Sequence, residues 1–254
     1  MTHILETVGL CKEFRGFRAV DDVSLRVREG DIHALIGPNG AGKTTVFNLL
    51  TKFLSPSAGR IVFDGRDITR EKPAALARQG MVRSFQISAT FPHLTVLENV
   101  RVALQRRHAP TYAFWLPGSV LSRLDARAMD LLEQVDMQDF AHAKAADLPY
   151  GRKRSVEIAT TLAMEPRLML LDEPTQGMGH EDVERVTQLI KRVSAGRTIL
   201  MVEHNMKVVA GICDRISVLQ RGALLAEGTY AEVSADPRVL EAYMGSETEL
   251  EGAH

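Results

Sequence analysis

Nine consecutive residues constrain this chain more than any others: Gly37-Pro38-Asn39-Gly40-Ala41-Gly42-Lys43-Thr44-Thr45. They satisfy the phosphate-cradling pattern G-x-x-x-x-G-K-S/T at every fixed position. The apolar run ahead of them, in Asp31-Ile32-His33-Ala34-Leu35-Ile36, reads as a short buried strand, and Val46-Phe47-Asn48-Leu49-Leu50 behind as the opening of a helix. Glycines let the backbone turn inward so that several N–H groups face one anion, at a helix N-terminus that already favours negative charge. In such a loop Lys43 is placed to reach the β- and γ-phosphates, and Thr44 to offer its hydroxyl to Mg²⁺. A glycine-rich turn that merely precedes a helix is the competing explanation. The lysine, the hydroxyl and the glycines, together and after a strand, argue against it. The loop is expected to bind a nucleotide.

The remaining chain sets wide bounds. At 254 residues, with 45% apolar and 25% charged residues, it can bury a sizeable α/β core. A formal net charge of −1 gives no general reason to expect nucleic acid as a partner. Cys11 and Cys213 stand far apart and outside metal-ligand spacing, so reduced cytosolic thiols are expected. No stretch approaches the ~20 apolar residues that cross a bilayer. The start, Met1-Thr2-His3-Ile4, lacks a basic-then-apolar secretion layout. Any membrane role is therefore expected to come through partners.

In chain order, Ile4 to Val27 alternates like antiparallel strands, and Arg60 to Gly65 and Met81 to Phe85 read as further strands. From about Ile87 to Tyr150 the pattern becomes mostly helical, with Thr95 and Glu98 spaced as a capping box ahead of Val96 to Gln105. The arginines there (Arg101, Arg106, Arg107, Arg123, Arg127) read as a solvated face, and Trp115 as packed beneath the insert. The α/β alternation then returns. Ser155–Met164, Glu181–Val193 and Asn205–Ile212 read as helices, Leu168–Leu171 and Thr198–Val202 as strands, and Arg215–Gln220 with Ala223–Ala226 as a hairpin. A short helix is expected over Arg238 to Met244.

A second constellation narrows the chemistry. Leu168-Met169-Leu170-Leu171-Asp172-Glu173 is an apolar strand ending in adjacent carboxylates, at the end where ligands sit in open α/β sheets. Asp172 suits Mg²⁺, held through its waters because that ion dehydrates reluctantly. Glu173 suits the removal of a proton from an attacking water. A solvated Asp-Glu pair opening a turn would be the better explanation without the phosphate loop upstream.

Gly37–Thr45, Gln86, Leu148-Pro149-Tyr150-Gly151, Asp172-Glu173-Pro174-Thr175 and His204 occur in the order and rough spacing of ATP-binding-cassette (ABC) ATPases, which the chain resembles over nearly its whole length. Arg83-Ser84-Phe85-Gln86, Phe91 to Val100, Glu203-His204-Asn205-Met206 and Glu241-Ala242-Tyr243-Met244-Gly245 look like the ATPase subunits of branched-chain amino-acid importers. The resemblance implies a P-loop NTPase α/β fold: a mainly parallel core sheet, an N-terminal antiparallel β-subdomain and a helical subdomain insert. Core and β-subdomain would take 1–86 and 152–235, the helical insert about 87–151, and a C-terminal helical tail about 236–254.

Residue by residue, it implies that Phe14 stacks on adenine and that Gly37, Pro38, Asn39, Gly40, Ala41, Gly42, Lys43, Thr44 and Thr45 hold the phosphates. Gln86 would touch Mg²⁺ and the attacking water, and His204 the γ-phosphate. Two such ATPases pair head to tail, so Tyr150, Gly151 and Arg152 would face ATP held by a second ABC ATPase subunit. The other implied partners are two membrane permease subunits and, indirectly, a periplasmic or extracellular substrate-binding protein, with the chain at the cytoplasmic face of the membrane. The chain departs from the family where Leu-Ser-x-Gly-Gln is usual and it has Leu148-Pro149-Tyr150-Gly151-Arg152. It departs again at Gly179, where Asp or Asn is common. Both departures fall on contacts given to the partner. A lipopolysaccharide-exporting ATPase is the nearest alternative, and the helical insert and tail weigh against it. A cassette acting on nucleic acid would usually carry coiled-coil or zinc-binding insertions, and none is visible.

Overall fold

The computed structural model describes residues 2–84, 90–108 and 118–243, with side chains left aside at 106–108 and 118–123. The expectations for Gln86, Trp115, Met244 and Gly245, and for the side chains of Arg106, Arg107 and Arg123, fall outside what is described. The chain divides into two compact units, one made of Met1–Leu76 with Ser194–His254, the other of Ala77–Val193.

In the first unit, β1 (His3–Phe14) and β2 (Phe17–Val23) form an antiparallel hairpin in which Phe14 pairs with Phe17. Arg15 (φ 49°) and Gly16 (φ 89°) make its turn, the paired left-handed conformation that matches the twist of two-residue hairpins. β3 (Arg26–Arg28) and β5 (Ala58–Phe63) also pair antiparallel with β1, and β6 (Arg66–Asp67) with β5. A second sheet is built on β4 (Ile32–Ile36), all five residues of which are buried. β4 lies parallel to both β9 (Thr198–Val202) and β10 (Arg215–Gln220), and β10 turns back into β11 (Ala223–Gly228). Strands covered on both faces need near-continuous apolar runs, and Thr198-Ile199-Leu200-Met201-Val202 is one. Helices α1 (Lys43–Leu50), α7 (Met206–Ile212) and α8 (Tyr230–Ser234) belong to this unit. Ala34, Ile36, Ile216 and Val218 pack with Val209, Val233 and Val239, each of the larger side chains contributing about 1.5–3 kcal/mol by burial.

The second unit holds the parallel pair β7 (Met81–Ser84) and β8 (Leu168–Asp172), in register from Met81 opposite Leu168 to Ser84 opposite Leu171. Its helices are α3 (Val96–His108), α4 (Gly118–Gln134), α5 (Tyr150–Leu162) and α6 (His180–Val193). The Thr95 capping box forms as its spacing predicts: Thr95 N–H donates to Glu98 at 2.8 Å, and Glu98 N–H donates to the Thr95 hydroxyl at 3.2 Å. Along α6 the buried side chains are Val186, Leu189, Ile190 and Val193, a single helical stripe, with acids in the first turn and bases in the last.

Three elements differ from expectation. Arg101 is not a solvated arginine: it donates to Asp125 at 3.0 Å and so ties α3 to α4. Helix α5 begins at Tyr150, a turn earlier than the apolar periodicity of Ser155–Met164 indicates. A short helix, α2 (Pro73–Gln79), was not anticipated, although Pro73 at its first position and Gly80 (φ 93°) beyond its end are the standard start and stop signals.

Within the β4 sheet His33 is fully buried, with Nε2 2.8 Å from the Ser217 hydroxyl oxygen. Ser217 spends its single proton on Glu227, which accepts at 3.2 Å, so His33 Nε2 must carry the proton donated to Ser217. Burial pushes His33 down to about 4; Glu227 opposes the shift, and Arg215 and Arg28 add to it. The folded protein thus holds a neutral imidazole that the unfolded chain protonates near pH ~6.5. Stability from this residue is full above that value and is lost as pH falls towards about 4. Between about pH 7 and 4.5 the wild type should lose about 2–3 kcal/mol more than a His33→Gln variant in urea unfolding. Parallel losses in the two proteins would show that His33 is not the titrating group.

Candidate active site

The phosphate loop joins the end of β4 to α1. Gly37 has φ 149°, and a Cβ there would lie 2.1 Å from the Leu219 carbonyl oxygen, so no side chain fits between the loop and β10. Gly42, left-handed at φ 100°, caps α1 and sends the chain into the helix. The turn between β10 and β11 braces the loop: Gly222 N–H donates to the Ala41 carbonyl at 3.0 Å, while Gly222 itself accepts from Asp21 N–H at 2.8 Å. Lys43 is buried, with its ammonium donating to the carbonyls of Gly37 (2.7 Å) and Pro38 (2.9 Å). These bonds draw the charge against its own loop. Asn39, Gly40 and Thr44 are exposed, and Thr45 is half-buried.

Phe14 ends β1 with 42% of its surface exposed, which excludes an ordinary core phenylalanine. The Lys12 ammonium lies 5.0 Å from its ring centroid. His204 follows β9 at the surface, and its N–H donates to the Glu203 carboxylate at 2.7 Å. Glu203 also accepts from Asn205 N–H at 3.2 Å and is only 2% exposed, so a buried carboxylate fixes the backbone that presents His204. In sequence Glu203 was quoted only within the segment Glu203-His204-Asn205-Met206 and given no role of its own, although a carboxylate closing an all-apolar strand is a visible signal.

In the second unit, Asp172 ends β8 and is ion-paired with Arg83, both side chains being about seven-eighths covered. Glu173 follows in the left-handed region at φ 46°, a conformation that costs a residue with a Cβ about 1–2 kcal/mol. Arg154, 5% exposed on α5, donates to the carbonyls of Asp172, Glu173 and Pro174 at 3.0, 3.0 and 3.1 Å. It also donates to Glu157 at 2.6 Å. Burial pushes the Glu157 carboxyl up from its ordinary value, and the Arg154 guanidinium opposes that shift. Glu157 was read only as part of the helix Ser155–Met164, and Arg154 fell just ahead of it; a charged pair three residues apart on one helix was their signal.

The segment Leu148–Arg152 opens α5. Pro149 is the N-cap (φ −57°, ψ 155°) and makes no side-chain cap bond. The Tyr150 hydroxyl donates to the Gln176 carbonyl at 3.1 Å, and a Cβ on Gly151 would lie 2.6 Å from the Asp182 carboxyl carbon. The Arg152 guanidinium stacks 3.9 Å from the centroid of the Phe140 ring. Arg154 therefore joins two groups of predicted site residues, the α5 opening and the Asp172-Glu173 turn. At Gly179 an added Cβ would meet nothing within 4 Å. As to Mg²⁺, that ion takes one or two protein oxygens and completes its shell with water and phosphate. The exposed Thr44 hydroxyl and the Asp172 carboxylate are donors of that kind.

The comparisons agree with this chemistry. A family model described as ABC transporter matches residues 20–176, and one described as branched-chain amino acid ATP-binding cassette transporter matches residues 223–249. The high-affinity branched-chain amino acid transport ATP-binding protein BraF of Pseudomonas aeruginosa is 40% identical over 250 residues, covering 95% of this chain and 98% of that protein. The corresponding protein LivG of Escherichia coli K12 is 37% identical, with 95% and 98% covered. Among solved structures, the ADP conformation of an ATP-binding cassette of an ABC transporter superposes with a TM-score of 0.85 at 32% identity, covering 96% of this chain and all of that one. A dimeric post-hydrolysis cassette bound to ADP and phosphate gives a TM-score of 0.75 at 26% identity, with 89% and 98% covered. With a family model spanning more than half its length and relatives matched nearly end to end, the chain belongs to the ABC transporter family as an ATP-hydrolysing cassette subunit.

Proposed function

We propose that this cassette powers the import of branched-chain amino acids, or a small nutrient of similar chemistry, through separate membrane subunits. The observation that carries the reading is the pair of family matches on one chain: the general cassette, followed by the C-terminal segment described for branched-chain amino acid transporters. Among the described residues no helix is long and apolar enough to cross a membrane, in keeping with docking on permease subunits at the cytoplasmic face. The helical stretch of about 87–151 is the proposed docking subdomain, and a second cassette the proposed partner.

In this reading Phe14 stacks on adenine, the N–H groups of Gly37–Thr45 cradle the phosphates and Lys43 neutralises the β- and γ-oxygens. Thr44 and Asp172 hold Mg²⁺, which when bound supplies positive charge to the same oxygens; Gln86, outside the described residues, is proposed to join them. Glu173 accepts a proton from water as its oxygen bonds to the γ-phosphorus. The bond to the β-phosphate oxygen breaks, ADP leaves with the electron pair, and His204 offers hydrogen bonding to the released phosphate. Tyr150, Gly151 and Arg152 face the partner's ATP. ATP moves the permease only through its differential affinity for closed and open dimers.

Co-expressed with its membrane subunits in proteoliposomes, the chain should drive ATP-dependent uptake of leucine, isoleucine or valine. ATP turnover without uptake of any of them, with binding protein supplied, would defeat the substrate assignment. Glu173→Gln should lower kcat by about 10²–10³-fold while ATP still binds, whereas Lys43→Ala should lose ATP affinity. Equal rates for wild type and Glu173→Gln would remove the general base.

Pro149→Ser gives a second test. A serine at this cap can accept from the N–H of Gly151 or Arg152 at the start of α5, raising stability by about 0.5–1 kcal/mol, and can offer a hydroxyl to the partner's γ-phosphate. Turnover in the reconstituted transporter should rise with it. A rise in melting temperature at unchanged turnover would mean that Pro149 does not limit the donated site.

A further inference from the structure

We infer that Arg154 is a positioning residue for Glu173, transmitting the placement of helix α5 to the catalytic carboxylate. The inference rests on the assignment of Glu173 as general base. Three consecutive carbonyls, those of Asp172, Glu173 and Pro174, accept hydrogen bonds from one guanidinium at 3.0–3.1 Å. The peptide planes on both sides of the Glu173 Cα are therefore tied to a single rigid fork, and with them the direction in which the side chain leaves the backbone. That backbone is left-handed at φ 46° in a residue with a Cβ, and such conformations persist where their surroundings over-determine them.

The fork is itself held. Its remaining side donates to Glu157 at 2.6 Å, and the two side chains are 6% and 2% exposed. Among the described residues Glu157 Oε1 has no hydrogen-bond partner, and Arg154 is the group that compensates this buried carboxylate. A second brace comes from the same helix: the Tyr150 hydroxyl reaches the Gln176 carbonyl at 3.1 Å. From Asp172 to Gln176 the chain thus hangs from α5 at four carbonyls. In the proposed dimer the opening turn of α5 meets ATP held by the partner. Any displacement of that turn passes to Glu173 through these bonds, and small misplacements of a reacting group are costly, about 10²-fold per 1 Å. Hydrolysis in one site thereby senses occupancy of the other.

The test uses the full-length chain in its reconstituted transporter, with Arg154→Lys, Glu173→Gln and the double variant. Lysine keeps the charge facing Glu157 but has no fork to span three carbonyls. Arg154→Lys should lower kcat about 10–100-fold with KM for ATP, and ATP affinity measured without Mg²⁺, changed less than about 2-fold. On the Glu173→Gln background the same substitution should leave the residual rate unchanged, because the group being positioned is gone. A merely structural role would lower both rates alike, and that result overturns the inference. So does a fall in kcat for Glu173→Gln while Arg154→Lys leaves kcat intact. Turnover in Glu173→Gln equal to that of the wild type would instead remove the general base itself, a separate failure. Should Arg154→Lys fail to fold, Arg154→Gln with Glu157→Gln removes both charges together and takes the same measurements.

Discussion

Strand β4 is closed to water along its whole length, and that constraint decides where the chain can bind an anion. A strand flanked by β9 and β10, with both faces covered, spends its backbone polar groups on its neighbours. Only beyond Ile36, where the ladder ends, do backbone N–H groups become available. The chain turns there through residues that no Cβ would allow, Gly37 against Leu219 and Gly42 against Ala19. The phosphate loop is thus the continuation of a buried strand that must turn before it can form a helix. The brace from Gly222 to Ala41 keeps it open without using the N–H groups at the start of α1.

A second constraint is the treatment of buried charge. Ions taken from water cost several kcal/mol each unless paired and hydrogen-bonded. Arg154 is paired with Glu157 and bonded to three carbonyls, and Glu203 receives two backbone N–H groups beside His204. Arg83 is paired with Asp172. Each of these flanks a residue assigned to the chemistry, so the cost of burial is met by bonds that also fix the backbone of Asp172, Glu173 or His204. His33 solves the same problem differently, by staying neutral inside the β4 sheet.

The fold was legible where local signals and tertiary packing agree. The all-apolar runs of β8 and β9, the capping box at Thr95 and the turn at Arg221-Gly222 each carry their own physical signature. In the site, the phosphate loop and the Asp172-Glu173 turn stood out because their residue types are costly unless used. What remained hidden were residues whose role depends on distant carbonyls. Nothing adjacent to Arg154 in sequence says that its guanidinium meets Asp172, Glu173 and Pro174, between 18 and 20 positions away. Arg101 was misread for the same reason, its partner Asp125 lying on another helix. The start of α5 was obscured by its opening residues, since Tyr150, Gly151 and Arg152 break the apolar period yet are helical.

The departures in the Leu148–Arg152 segment are inexpensive for the chain that carries them. Pro149 sits at the cap, whose own N–H takes no part in the helical ladder, and its φ of −57° is the value its ring imposes. The forfeited cap bond costs about 1 kcal/mol. Arg152 finds a compensating surface in the Phe140 ring, a contact worth about 0.5–1 kcal/mol when exposed. Gly151, by contrast, is crowded, because a Cβ there would push against the Asp182 carboxyl and the Arg185 guanidinium of α6. The segment therefore keeps a glycine where side chains of α6 crowd it and departs at Pro149 and Arg152. In the proposed dimer, whatever Pro149 and Arg152 change would be felt by the partner's nucleotide more than by the fold. The bonds from Arg154 that orient Glu173 are untouched by either substitution.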